Sequence, residues 1–136
     1  MYSIHTFLLQ KELFRSPEPV KTTVVSSFTD TPALQQIARQ ADSAYILFYT
    51  GTSPIELHPY AIGRMYQIAE SNDGALFYSD YQEIRQGKKI HHPTLEYQTG
   101  SIRNDFDFGQ LLLFRNDSFQ QVVAQMNTDY RFAALY

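Results

Sequence analysis

Two clusters in this chain carry residue types suited to holding a polar ligand. The first is Ser79-Asp80, placed directly after the apolar run Ala75-Leu-Phe-Tyr78. A carboxylate delivered to the carboxyl end of a strand lies where open α/β sheets bind ligands. It can hold a metal ion, a ribose hydroxyl or a sugar hydroxyl, or it can serve as a turn residue that accepts backbone hydrogen bonds. The second cluster is Arg103, Asp105 and Asp107, just before the apolar run Leu111 to Phe114. On extended backbone these three side chains share one face, because the side-chain period is two. Such a face suits sugar hydroxyls, or a diphosphate gripped by the paired N–H groups of the guanidinium. A solvated ion-pair cluster is the competing reading, and on a helix the grouping dissolves. Asp105 and Asp107 resemble a metal pair but lack a third ligand.

Other polar groups are less organised. The loops at Ser26-Ser27 and Thr50-Gly51-Thr52-Ser53 offer hydroxyls and amides near strand ends. Neither matches a P-loop or a dinucleotide fingerprint. His91-His92 is too small a set for zinc, which takes three or four ligands. His58 lies beside Pro59, and His5 falls within a predicted strand. Serine, histidine and aspartate are all present, but no nucleophile-elbow pattern organises them.

The elements that must position these groups follow from periodicity. Ile4 to Leu9 and Val20 to Ser26 read as strands, the second rich in β-branched residues, with Lys11 to Phe14 a turn or brief helix between them. Asp30 or Thr31 caps a helix with Pro32 in its first turn, and Leu34, Ile37 and Ala38 carry its apolar stripe to about Ala41. Ala44 to Tyr49 is a near-continuous apolar strand, the pattern of a sheet covered on both faces. Ile62, Met65, Tyr66 and Ala69 mark a second helix ending near Glu70, closed by a left-handed Gly74. A helix-length crossover to the strand at 75–78 implies that this strand and the one at 44–49 are parallel neighbours.

Tyr81 to Ile90 reads as an exposed hairpin centred on Gln86-Gly87, and His91-His92-Pro93 opens a loop. Gln110 to Phe114 is a strand. Asp117 or Ser118 then caps a helix built on Phe119, Val122, Val123 and Met126. The expected class is α/β, one domain over residues 1–136. The apolar helical pattern from Tyr130 to Tyr136 stops in its middle, so the chain is expected to be truncated at its carboxyl end. The expected partner of that stripe is the remainder of a longer chain or a second copy.

Composition narrows the function classes. The 136 residues carry a net charge of -3, with no basic run beyond Lys88-Lys89. Nucleic acid is therefore not expected as a partner. Without cysteine there is no disulfide, thiol catalysis or thiolate metal site. No apolar stretch reaches the roughly 18 residues of a spanning helix, and the amino end lacks a signal-peptide pattern. A cytoplasmic location is the expectation. Ten tyrosines and ten phenylalanines supply packing surface and, at strand ends, rings that can stack on a sugar.

Residues from about 20 to 136 resemble the nucleotide-diphospho-sugar transferases of glycosyltransferase family 2, most closely its divergent bacterial members. The resemblance rests on Ala44-Tyr-Ile-Leu-Phe-Tyr49, on a helix over 55–70, and on Leu76-Phe-Tyr-Ser-Asp80. It extends through Tyr97-Gln-Thr-Gly-Ser-Ile-Arg-Asn-Asp-Phe-Asp-Phe-Gly109 and Leu111-Leu-Leu-Phe-Arg115. It implies a partial GT-A-like fold, a mixed and mainly parallel sheet with helices on both faces. It also implies transfer of a sugar, with inversion, from a nucleotide-diphospho-sugar donor to an acceptor. The donor- or sugar-binding residues so implied are Ser79, Asp80, Arg103, Asp105, Asp107, Thr50 and Thr52, with the nucleotide-sugar or another saccharide as ligand.

Two departures bear on mechanism. Where the family places a metal-binding Asp-x-Asp, this chain has Thr50-Gly51-Thr52. The resemblance implies Mn2+ or Mg2+ as cofactor, yet neutral hydroxyls do not replace two carboxylates for a hard cation, so no metal ligand is assigned. The family's catalytic base lies on a later helix, a region this sequence approaches only at its end. Asp129 is the acidic residue nearest that point, and no catalytic residue is assigned. The alternative is a saccharide- or protein-binding domain derived from the same fold.

Overall fold

The computed structural model describes residues 2–94 and 108–126. Arg103, Asp105, Asp107, Asp129 and the terminal stripe from Tyr130 lie outside the described residues. Strand β1 (Ile4–Leu8) is followed by a short 3-10 turn (Lys11–Leu13) and by β2 (Phe14–Arg15) and β3 (Lys21–Val24). Helix α1 (Thr31–Gln40) leads to β4 (Tyr45–Tyr49) and β5 (Ile55–Glu56), and α2 (Ala61–Glu70) to β6 (Leu76–Phe77). The hairpin β7 (Tyr81–Arg85) and β8 (Lys88–His92) precedes β9 (Leu111–Arg115) and α3 (Asn116–Ala124).

A mixed five-stranded sheet of order β3-β1-β4-β9-β6 forms the centre. β1 is parallel to both β3 and β4, whereas β9 runs antiparallel to β4 and β6. Every residue of β1 and β4 is buried, because helices cover both faces. On one face Phe7, Ile46 and Phe48 meet Leu34 and Ile37 of α1 and Phe119 and Val123 of α3. On the other, Ile4, Tyr45, Leu47 and Leu113 meet Ile62 and Ala69 of α2 together with Leu57. The alternation along β4 sends neighbouring side chains to opposite cores.

The expected start of α1 is observed: the Asp30 carboxylate accepts the Ala33 N–H at 2.8 Å, with Pro32 in the first turn. Five local expectations are corrected. The strands β4 and β6 are not neighbours, because β9 inserts between them; helix length constrains where a strand returns, not what a later strand does. The helix expected over 55–70 begins only at Ala61, since Ile55-Glu56 pairs with Phe14-Arg15 first.

Gly74 is not left-handed; among the described residues the positive-φ glycines are Gly87 and Gly109. The end of α2 is instead closed by polar side chains. Ser71 Oγ donates to Gln67 O at 2.9 Å, Asn72 Nδ2 to Ile68 O at 2.7 Å, and Arg115 reaches three further carbonyls. At the other junction, α3 follows β9 without a loop, so Arg115 occupies its N-cap and Asp117 and Ser118 lie within its first turn. His91 and His92, expected in a loop, complete β8.

The hairpin turns on Gln86 (φ 52) and Gly87 (φ 74), the two left-handed residues of a tight hairpin turn. A Cβ on Gly87 would meet nothing within 4 Å, so the cost of Gly87→Ala is backbone strain alone, about 1 kcal/mol. Because β7 and β8 form a separate two-stranded sheet, the loss should stay local. Hydrogen exchange should quicken at the amides of 81–92 while the unfolding midpoint of the whole domain stays unchanged.

Candidate ligand site at the strand ends

Three strand ends converge at one edge of the sheet. β4 ends at Tyr49, and Thr50 then donates its N–H to Gln110 O at 2.9 Å, with its hydroxyl to the same oxygen at 3.3 Å. Gly109, at φ 78, sits where a Cβ would lie 3.8 Å from Ser79 O and 3.5 Å from the Tyr81 ring. The pair Gly109-Gln110 thus joins the end of β4 to the end of β6. Tyr78 and Phe108 add an edge-to-face ring pair at 5.2 Å. Thr50 and Ser79 are brought to the same edge, and Thr52 and Ser79 are exposed there.

Gly51 is buried, and the geometry explains why no larger residue stands there. A Cβ would fall 2.4 Å from the Tyr49 hydroxyl and 2.6 Å from Gln110 Oε1. Tyr49 cannot easily swing away, since its ring is buried and its hydroxyl donates to Ser53 O. Burial holds the Tyr49 hydroxyl above the usual tyrosine range, with the hydrogen bond to Ser53 opposing. It is a fixed donor, not a titrating one.

Asp80 turns toward the hairpin base. Its Oδ1 accepts the Thr94 N–H at 2.7 Å and the Thr94 hydroxyl at 2.8 Å, while His91 Nε2 lies 3.9 Å from Oδ2. The Thr94 backbone N–H, then its hydroxyl, hold this carboxyl below the usual aspartate range, so it is ionised at neutral pH. The side chain is half-exposed, and among the described residues Oδ2 has His91 beside it. The same hairpin stacks Tyr81 on His92 at 4.6 Å and pairs His92 Nε2 with Glu83 Oε2 at 3.0 Å.

Sequence reasoning placed Asp80, Ser79, Thr50 and Thr52 near strand ends but missed Gln110, whose carbonyl accepts from Thr50 after β4 and whose amide oxygen lies against Gly51. Its signal was available: a glycine and an amide directly before an apolar strand. Arg103, Asp105 and Asp107 lie outside the described residues.

The donor chemistry of this edge is hydroxyls, peptide groups and one fixed carboxylate. Thr50 already commits its hydroxyl to Gln110 O, and among the described residues no group of three or more histidine or carboxylate side chains is gathered as a metal site. These residues do not fit Mn2+ or Mg2+. Neutral hydroxyl-bearing ligands suit the edge better.

An open depression of about 390 Å3 lies at the opposite end of β4, lined by Tyr45, Glu70, Arg115 and Asn116 among others. Its polar groups are engaged internally: Tyr45 Oη donates to Glu70 Oε1 at 2.7 Å and Asn116 Nδ2 to Ser43 O at 2.7 Å. It reads as a structural junction and not as a ligand site. Among the described residues no helix is long and apolar enough to cross a membrane. Comparison of the chain with protein-family models, with curated proteins and with solved structures finds no match.

Proposed function

We propose that this chain is a glycosyltransferase-like domain of the nucleotide-diphospho-sugar transferase type, GT-A-like in fold, that handles a sugar at the edge formed by Thr50, Ser79, Asp80 and Gly109-Gln110. The observation that carries the reading is the mixed sheet in which antiparallel β9 lies between β4 and β6, gathering the Tyr-Ser-Asp end and the Thr-Gly-Thr turn at one edge. In the reaction so proposed, an acceptor hydroxyl attacks the anomeric carbon of the donor from the face opposite the diphosphate. The new C–O bond forms as the bond to the diphosphate breaks, and a carboxylate base takes the hydroxyl proton. That base is not assigned.

A second reading, a non-catalytic saccharide- or protein-binding domain of the same ancestry, is favoured by Thr50-Gly51-Thr52 and by the commitment of Asp80 to Thr94. Calorimetry with UDP, GDP and their common sugar conjugates, with and without manganese, separates the two. Metal-enhanced nucleotide binding supports the transferase. Metal-independent binding of saccharide supports the binding domain. No binding in any combination removes the nucleotide-sugar reading. Where a ligand binds, Asp80→Asn keeps an oxygen for Thr94 but loses the charge, and affinity should fall about tenfold if Oδ2 holds a hydroxyl. Unchanged affinity would confine Asp80 to the hairpin.

A further inference from the structure

His5 lies in the middle of a four-residue polar line that neither reading above uses. It is 2% exposed, on β1, and its neighbours come from two other segments. Nε2 is 2.7 Å from the Thr23 hydroxyl on edge strand β3. Nδ1 is 3.2 Å from Asp42 Oδ1, in the connection between α1 and β4, without the alignment of a hydrogen bond. Lys21, also on β3, holds the other oxygen of Asp42. One ring face stacks on Phe7 at a centroid distance of 4.3 Å. Lys21 and Asp42 are the charged groups facing the imidazole.

We infer that His5 is a proton-sensitive latch that fastens the edge strand β3 and the end of α1 to the sheet, and that releases β3 as the imidazole becomes charged. The reasoning starts from burial. A neutral imidazole makes one bond to Thr23 and carries no charge to desolvate. An imidazolium in the same place loses its hydration and meets the Lys21 ammonium, which shares the same carboxylate. Asp42 partly offsets this, but it is exposed and already paired. β3 has little to resist release, being an edge strand paired in this sheet to β1 alone, with Lys21 and Val24 exposed.

Burial first and Lys21 second hold the His5 titration below the ordinary value of 6.5, against the opposing pull of Asp42. A base whose folded titration is depressed gives stability that is complete above the unfolded value. That stability is lost as pH falls from about 6.5 through the folded titration. The loss reaches about tenfold in the folding constant for every pH unit between the two titrations.

Proton NMR titration of the four histidines, with His5 assigned through His5→Gln, tests the first half. Amide exchange of 21–25 at pH 7.5 and pH 5, corrected for intrinsic rates, tests the second. The expected result is a His5 titration below 6.5 and a selective loss of protection in β3 at pH 5, absent in His5→Gln. Lys21→Met, a change at a half-exposed position, should raise the titration and move the loss of protection to higher pH. A His5 titration at or above 6.5 overturns the inference. So does β3 protection that stays level, or that falls equally in all strands, while His5 titrates.

Discussion

Phe48→Ala should destabilise the domain by about 3–5 kcal/mol, the largest loss expected from a single substitution here. Phe48 is 5% exposed in β4 and its ring meets four others. The centroids of Phe114, Phe28, Phe119 and Phe7 lie at 5.2, 5.4, 5.4 and 6.3 Å. Those rings come from β9, the segment before α1, α3 and β1, so Phe48 is where four segments meet. Truncation removes ring–ring contacts and leaves a cavity bounded by rigid groups, which cannot collapse into it. A domain of this size has only about 5–15 kcal/mol of stability. Phe48→Leu, which keeps most of the volume, should cost nearer 1.5 kcal/mol. Urea denaturation with fixed slope measures both. A loss below about 1 kcal/mol for alanine would mean that α1 and α3 do not close on this face as described.

Arg115 should give the second largest effect, for a polar reason. It ends β9, and its guanidinium binds the chain that leaves α2. Nη2 donates to Ala69 O at 3.1 Å and to Asn72 O at 2.7 Å, and Nε donates to Gly74 O at 3.2 Å. The same group lies 5.5 Å from the centroid of the Tyr45 ring. Arg115→Met keeps much of the stem but leaves carbonyls without donors, at a cost of about 2–3 kcal/mol. Arg115→Lys should recover little of this, because an ammonium on a flexible stem cannot reproduce a planar fork aimed at several carbonyls. Denaturation gives the magnitude, and faster amide exchange confined to 69–76 identifies the cause. Full recovery by lysine would show that charge alone, not the fork, closes α2.

Much of this architecture was legible in local pattern. Asp30 with Pro32 announced the start of α1, and the continuous apolar run at 44–49 announced a strand covered on both faces. Gln86-Gly87 announced the hairpin turn, since few residues tolerate left-handed backbone. In each case the deciding interaction lies within a few residues of the chain: a cap, a side-chain period, a steric limit on φ.

The errors share the opposite character. Gly74 looked like the stop for α2 because glycine commonly ends helices, but the end is closed by Ser71 and Asn72 together with Arg115, 41 residues from Gly74 along the chain. Asp117 or Ser118 looked like the cap of α3, but β9 runs straight into the helix, and the N-cap falls on Arg115. The neighbours of β4 were misread because the sequence of β9 fits either direction. Only the pairing of Leu113 with Leu47 on one side and Phe77 on the other fixes it.

The candidate site divides in the same way. Sequence alone determined that hydroxyls and a carboxylate follow apolar strands, because strand ends are set locally by where the apolar run stops. Tertiary structure decided which of those ends meet. Gln110 joins Thr50 to β9, and Gly109 lies close enough to Ser79 to bring β6 to the same edge. It also turned Asp80 onto Thr94 and set His5 between Thr23 and Asp42. A residue's own type fixes what it can donate or accept. Its partner depends on how strands distant in sequence are ordered, and that order is chosen by burying both faces of β1 and β4 at once.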